Sequence, residues 1–149
     1  MTKIQKVLLT GKTHTSVSKR AERVDMTLTT PNDKSSRYDY PAVVAHPTAE
    51  QLFAGAWSAC YISALGLVAK QRKVELPPDH SVDLEVDLGM NGDAYLLQAR
   101  LNVNIPGMDH KEAEALAHAA DQICPYSKAT RGNIDVSLKV TSERVPALQ

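Results

Sequence analysis

Three stretches of the chain alternate apolar and polar residues with a period of two. Val82, Leu84, Val86 and Leu88 interleave with Asp83, Glu85 and Asp87. Ala99, Leu101, Val103 and Ile105 interleave with Gln98, Arg100, Asn102 and Asn104, and Ile134, Val136, Leu138 and Val140 with Asp135, Ser137 and Lys139. Successive side chains of a strand point to opposite faces, so each stretch predicts a strand with one dry and one wet face, as in an antiparallel sheet covered on one side. Met90-Asn91-Gly92-Asp93 predicts a hairpin turn between the first two. Val24, Met26 and Leu28 predict another strand, and Ile4 to Thr15 a weaker one.

Elsewhere the pattern is helical. Thr48-Ala49-Glu50-Gln51 matches a capping box with Thr48 as N-cap, and opens a helix that runs to about Lys73, before Pro77-Pro78 forbid continuation. Its middle is crowded with small residues and it is apolar around most of its circumference, which predicts a central helix. A second helix is predicted after Pro106-Gly107, with Asp109 as N-cap and Glu112 at the capping-box position. Ala113, Leu116, Ala117, Ala120, Ile123 and Cys124 form its apolar stripe. Pro125 biases Cys124 away from helical geometry and ends it, and Ser127 to Arg131 add a short turn. The order is strands, long helix, two strands, helix, strand: an α+β chain, read as a single domain over residues 1–149. The longest loop runs from Asn32 to Pro47.

Composition narrows the function. At 149 residues the chain can bury a substantial core. Seventeen basic residues balance seventeen acidic ones, so no global field argues for nucleic acid or an anionic membrane. The N-terminal apolar run, Val7 to Leu9, is too short for a signal-peptide core, and no stretch is expected to approach the roughly 18 apolar residues of a membrane span. A cytoplasmic location is the expectation. The five histidines lack metal-ligand spacing, and no Walker, GxGxxG, GxSxG or HExxH motif is present, so no metal or cofactor is expected. Lys19, Arg20 and Arg23 make a small basic cluster near a turn.

The two cysteines, Cys60 and Cys124, remain. They are too far apart in sequence for a local metal clip or a CxxC turn, and each falls on the apolar side of a helix. Two readings fit: buried structural cysteines, or a reactive pair brought together by the fold. Glu50 shares the helix of Cys60, but ten residues are about 15 Å along a helix, so it serves that thiol only from a second chain. Otherwise Glu50 simply complements the helix N-terminus. Trp57 and Tyr61 flank Cys60 and read as core, or with Phe53 as an apolar entrance.

The stretches AEQLFAGAWSACYISAL around Cys60 and ICPYSKATRGNIDVSLKV around Cys124, with IPGMDHKEAEALAHAA and QRKVELPPDHSV, resemble the OsmC/Ohr family and within it the organic hydroperoxide resistance proteins. The resemblance implies an OsmC/Ohr-like fold, with antiparallel sheets packed around a long central helix and a second helix, in an intertwined homodimer. It implies a thiol-dependent peroxidase that reduces organic hydroperoxides and is regenerated by dihydrolipoamide or a lipoylated protein. Cys60 then takes the peroxidatic role, Cys124 the resolving role, and Glu50 that of the family's glutamate, acting across the dimer interface. The family's arginine sits in a glycine-rich turn that this chain replaces with SVSKRAER, where Arg20 or Lys19 stands in. Arg20 is the expected cation, because a guanidinium fork holds a carboxylate and a thiolate together. The loop before the helix is also replaced, bringing Arg37, Tyr38 and Tyr40. A redox-sensing or ligand-binding relative that oxidises without multiple turnover is the alternative.

Overall fold

The computed structural model describes residues 1–18, 23–29 and 48–144. Its elements are β1 (Lys6–Ser18), β2 (Arg23–Thr29), α1 (Thr48–Gln71), β3 (Ser81–Asn91), β4 (Ala94–Asn104), α2 (His110–Ile123), α3 (Pro125–Thr130) and β5 (Asp135–Thr141). The strands form one sheet in the order β2-β1-β3-β4-β5. All neighbours are antiparallel except β4 and β5, which run parallel. The expectation of purely antiparallel sheets is corrected there: α2 and α3 form a crossover between β4 and β5, and a crossover returns the chain in its original direction. Period-two alternation reports which face is wet, not which way the neighbour runs.

The dry face carries the core. Val82 pairs with Val103, Leu84 with Leu101 and Val86 with Ala99, and beyond them Val140, Leu138 and Val136 continue the same rows. Trp57, Tyr61, Ile62 and Leu65 of α1 and Leu116 of α2 are fully buried among them. On β1 the inward positions opposite this core are Gly11, Thr13 and Thr15, which is why its alternation is faint in the sequence. The buried hydroxyls of Thr13 and Thr15 bond Ser58 of α1 at 3.3 and 2.8 Å, and Ser58 donates to the Gly55 carbonyl. A β-bulge between Val7 and Leu9 further breaks the pattern.

The ends of the elements follow their local chemistry. Gly92 turns the β3–β4 hairpin at φ +56, a conformation that costs glycine nothing. The Asp109 carboxylate accepts the Glu112 N–H at 3.2 Å and caps α2. Helix α1 ends with Lys73 in the left-handed region and the Val74 N–H on the Ala69 carbonyl. Two expectations need correction. Ile123 is 39% exposed and lies outside the buried stripe of α2. Helix α1 is not covered all round: Leu52 is 60% and Leu67 50% exposed, on a face shared with Ala56, Ser63 and Gly66. Residues Ala49–Gln71 reach the length and hydropathy of a membrane-crossing helix, a property that core helices share, and over half of that stretch is packed inside the fold.

The wet face of the sheet is tied by charge. Arg100 of β4 grips Asp87 of β3 with both terminal nitrogens, at 2.6 and 2.9 Å, and reaches Glu85 through Nε at 2.8 Å. Lys12 of β1 pairs with Glu85 at 3.5 Å, while Thr10 and Gln98 donate to Asp87. Asp87 is thereby buried although it points away from the core. Burial alone would push its carboxyl up; the bonds from Arg100, Thr10 and Gln98 outweigh that and hold it below the usual range.

Candidate active site

Cys60 sits in the middle of α1, partly exposed, on the side that meets α3. Cys124 is fully buried and serves at once as the C-cap of α2 and the N-cap of α3. Its backbone is extended (φ −63, ψ 119), the geometry that a following proline imposes, with Pro125 at the first position of α3 where its missing N–H costs nothing. This kink delivers the Cys124 side chain to α1. Both cysteines are free thiols, and the fold brings them near enough that Cys124 and the backbone of Tyr126 both act on the Cys60 thiol.

The environment of Cys60 works in two directions. Burial first, then the neighbouring Cys124, push its thiol above the ordinary value, and the Tyr126 N–H pulls it back in part. Among the described residues no cation acts on it. Two contacts anchor the surrounding helices. The Trp57 indole Nε1–H donates to Ser127 Oγ at 3.1 Å, and the Tyr61 hydroxyl donates to the Ala117 carbonyl at 2.6 Å. Burial, then Asp121 and Cys124, push the Tyr61 phenol well above its usual range, which keeps it a neutral donor. Trp57 and Tyr61 are fully buried, so they are core and line no entrance; Phe53 is half-buried with its ring edge-on to Trp57 at 5.9 Å.

Glu50 lies in the first turn of α1 and is only 4% exposed. Gly11 of β1 crosses that turn so closely that a Cβ on it would stand 2.5 Å from the Gln51 nitrogen and 2.9 Å from the Glu50 Cβ. Helix α1 is unbroken between Glu50 and Cys60, so within one chain they stand about 15 Å apart along its axis. Arg20 and Lys19 lie outside the described residues, as do Arg37, Tyr38 and Tyr40. Among the described residues, no group of three or more His, Cys, Asp or Glu is arranged to hold a metal ion. The fold thus unites Cys60 and Cys124 and seats Glu50 at a distance.

Gly11, Tyr126 and Ser127 were not singled out from the sequence. An isolated glycine within a strand signals close backbone approach, and Ser127 stands three residues after Cys124 as Trp57 stands three before Cys60. The role of the Tyr126 N–H has no sequence signal, since every residue but proline carries one.

The chain as a whole has counterparts among known proteins. Residues 43–139 match the family model described as OsmC-like protein. The chain belongs to the OsmC family. An organic hydroperoxide resistance protein from Xanthomonas axonopodis pv. citri (strain 306) is 46% identical over 89 residues, 60% of this chain and 63% of that relative's length. The match therefore spans less than two thirds of that relative. The crystal structure of an organic hydroperoxide resistance protein from Elizabethkingia anophelis is similar over 96% of this chain and 100% of its own, at 32% identity and a TM-score of 0.61. That of the Organic Hydroperoxide Resistance Protein OhrB of Bacillus subtilis, also 32% identical, covers 86% of this chain and 96% of its own with a TM-score of 0.59. The α+β architecture is therefore that of OsmC and Ohr proteins.

Proposed function

We propose that the chain is a thiol-dependent peroxidase acting on organic hydroperoxides. The observation that carries this reading is that Cys60 and Cys124, on elements far apart in the sequence, are neighbours close enough for Cys124 to act on the Cys60 thiol. The Cys60 thiolate attacks the peroxide, the O–O bond breaks, an alcohol leaves, and Cys60 becomes a sulfenic acid. Cys124 then attacks that sulfur; water leaves and a Cys60–Cys124 disulfide forms. A dihydrolipoyl dithiol reopens the disulfide by exchange and is itself oxidised. Arg20 supplies the cation that favours the thiolate, and Glu50 orients it.

A homodimer completes the site in this reading. It is supported by the exposed apolar face of α1, which includes Leu52 and Leu67, and by the spacing that keeps Glu50 from its own chain's Cys60. The test is steady-state reduction of cumene hydroperoxide with dihydrolipoamide as donor and hydrogen peroxide as comparison. Turnover favouring the organic peroxide, abolished by Cys60→Ser and cut to a single event by Cys124→Ser, is expected. Normal turnover by Cys60→Ser would overturn the mechanism. One oxidation without turnover in the unaltered chain would mark a redox sensor.

A further inference from the structure

Helices α1 and α3 meet through two rungs, one helical turn apart. Trp57 and Cys60 are three residues apart on α1 and so share a face; Cys124 and Ser127 are three apart at the start of α3. Cys124 is the neighbour of Cys60 on one rung, and the Trp57 indole N–H donates to the Ser127 hydroxyl on the other. Both members of the second rung are buried, where an indole N–H without an acceptor would be costly. Phe53 packs edge-on against the indole. Six residues are too few for α3 to hold itself in place, so its seat on α1 depends on tertiary contacts.

We infer that Trp57 and Ser127 are positioning residues for the cysteine pair: their hydrogen bond holds α3 in register on α1, so that Cys124 stays within reach of Cys60. The chemistry makes this consequential. A disulfide requires sulfurs about 2.05 Å apart. A Cys60 sulfenic acid has two fates: Cys124 closes on it with loss of water, or a second hydroperoxide takes it to the sulfinic acid. The second rung favours the first fate. The sulfenic step rests on the peroxidase reading; the positioning of the two thiols does not.

Two measurements separate those claims. The first equilibrates the purified chain in dithiothreitol redox buffers, without peroxide, and reads the effective concentration of the Cys60–Cys124 pair. Ser127→Ala lowers it about fivefold, the worth of one neutral hydrogen bond. Trp57→Phe does the same, and the double variant is no worse than either single one, because both break one contact. Val82→Ala, a core change on β3, leaves it unaltered although it lowers stability. The second treats the same variants with cumene hydroperoxide and reads sulfinic acid by mass spectrometry, whose share rises about fivefold in Ser127→Ala. Wild-type effective concentration in Ser127→Ala, or fully multiplying effects in the double variant, would overturn the inference. A dithiothreitol response with no oxidation by cumene hydroperoxide would remove the peroxidase reading and leave the positioning role standing.

Discussion

The two faces of this sheet are held by opposite means. On the wet face, Arg100 joins Asp87 and Glu85 through three charge-assisted bonds, with Lys12, Thr10 and Gln98 around them. On the helical face, among the described residues, the thiol pair has neutral neighbours, with one indole–hydroxyl bond beside it. Full charges in short bidentate geometry fix β3 against β4 and serve one state only. In the proposed peroxidase cycle the thiol pair serves two, since its sulfurs would close to covalent distance on oxidation and part again on reduction. Weak neutral contacts guide such a pair without freezing it.

The comparison can be broken most severely through Arg20. If it provides the missing cation, Arg20→Ala raises the midpoint of the Cys60 alkylation-versus-pH profile, and alkylation at neutral pH slows about tenfold for every pH unit by which that midpoint rises. Cys60 labelling in the Cys124→Ser background measures this directly, and an unmoved midpoint would remove Arg20 from the site. In the described chain the thiol lies above its ordinary value, so labelling increases with pH.

Gly11 tests whether the helical face tolerates displacement. Gly11→Ala puts a methyl 2.5 Å from backbone at the Glu50 turn, so α1 must shift, and a loss of about 2–3 kcal/mol in urea unfolding is expected. A stability within a few tenths of the parent would mean that the turn yields freely.

Arg100→Ala strips the wet face of its clamp. Arg100 is 38% exposed, so the expected loss, about 1–2 kcal/mol at neutral pH, is below that for a fully buried pair. The sign with pH follows from Asp87, whose carboxyl is held below its unfolded value by those bonds. Its contribution is present above the unfolded value and disappears as pH falls through the folded one. The parent should therefore lose more stability on acidification than Arg100→Ala does, while Cys60 alkylation is the same in both. Equal acid sensitivity would sink the assignment to Asp87. The smallest effect belongs to Asp109→Ala, about 1 kcal/mol from the lost α2 cap, read by thermal unfolding.

Much of this was legible in the sequence because it is local. The alternating runs on β3, β4 and β5, the Asp109 cap, the glycine turn at Gly92 and the Pro125 break at Cys124 depend on neighbours in the chain, and the structure contains each of them. β1 was faint because its inward positions carry glycine and threonine, whose partner is the Ser58 hydroxyl on a distant helix. The parallel joining of β5 and the exposure of Leu52, Leu67 and Ile123 were not legible, since they depend on how whole elements pack.

The same division runs through the candidate site. The sequence by itself determined that one thiol lies on the long helix that Glu50 opens and that the other closes a second helix before a proline, because residue type and spacing along a helix are properties of the chain alone. Only the tertiary structure decided that Cys124 becomes a neighbour of Cys60 and that Trp57 grips Ser127. Those contacts join residues dozens of positions apart, and their geometry is set by the packing of α1 against the α2–α3 junction, a collective outcome of the core that no local pattern encodes.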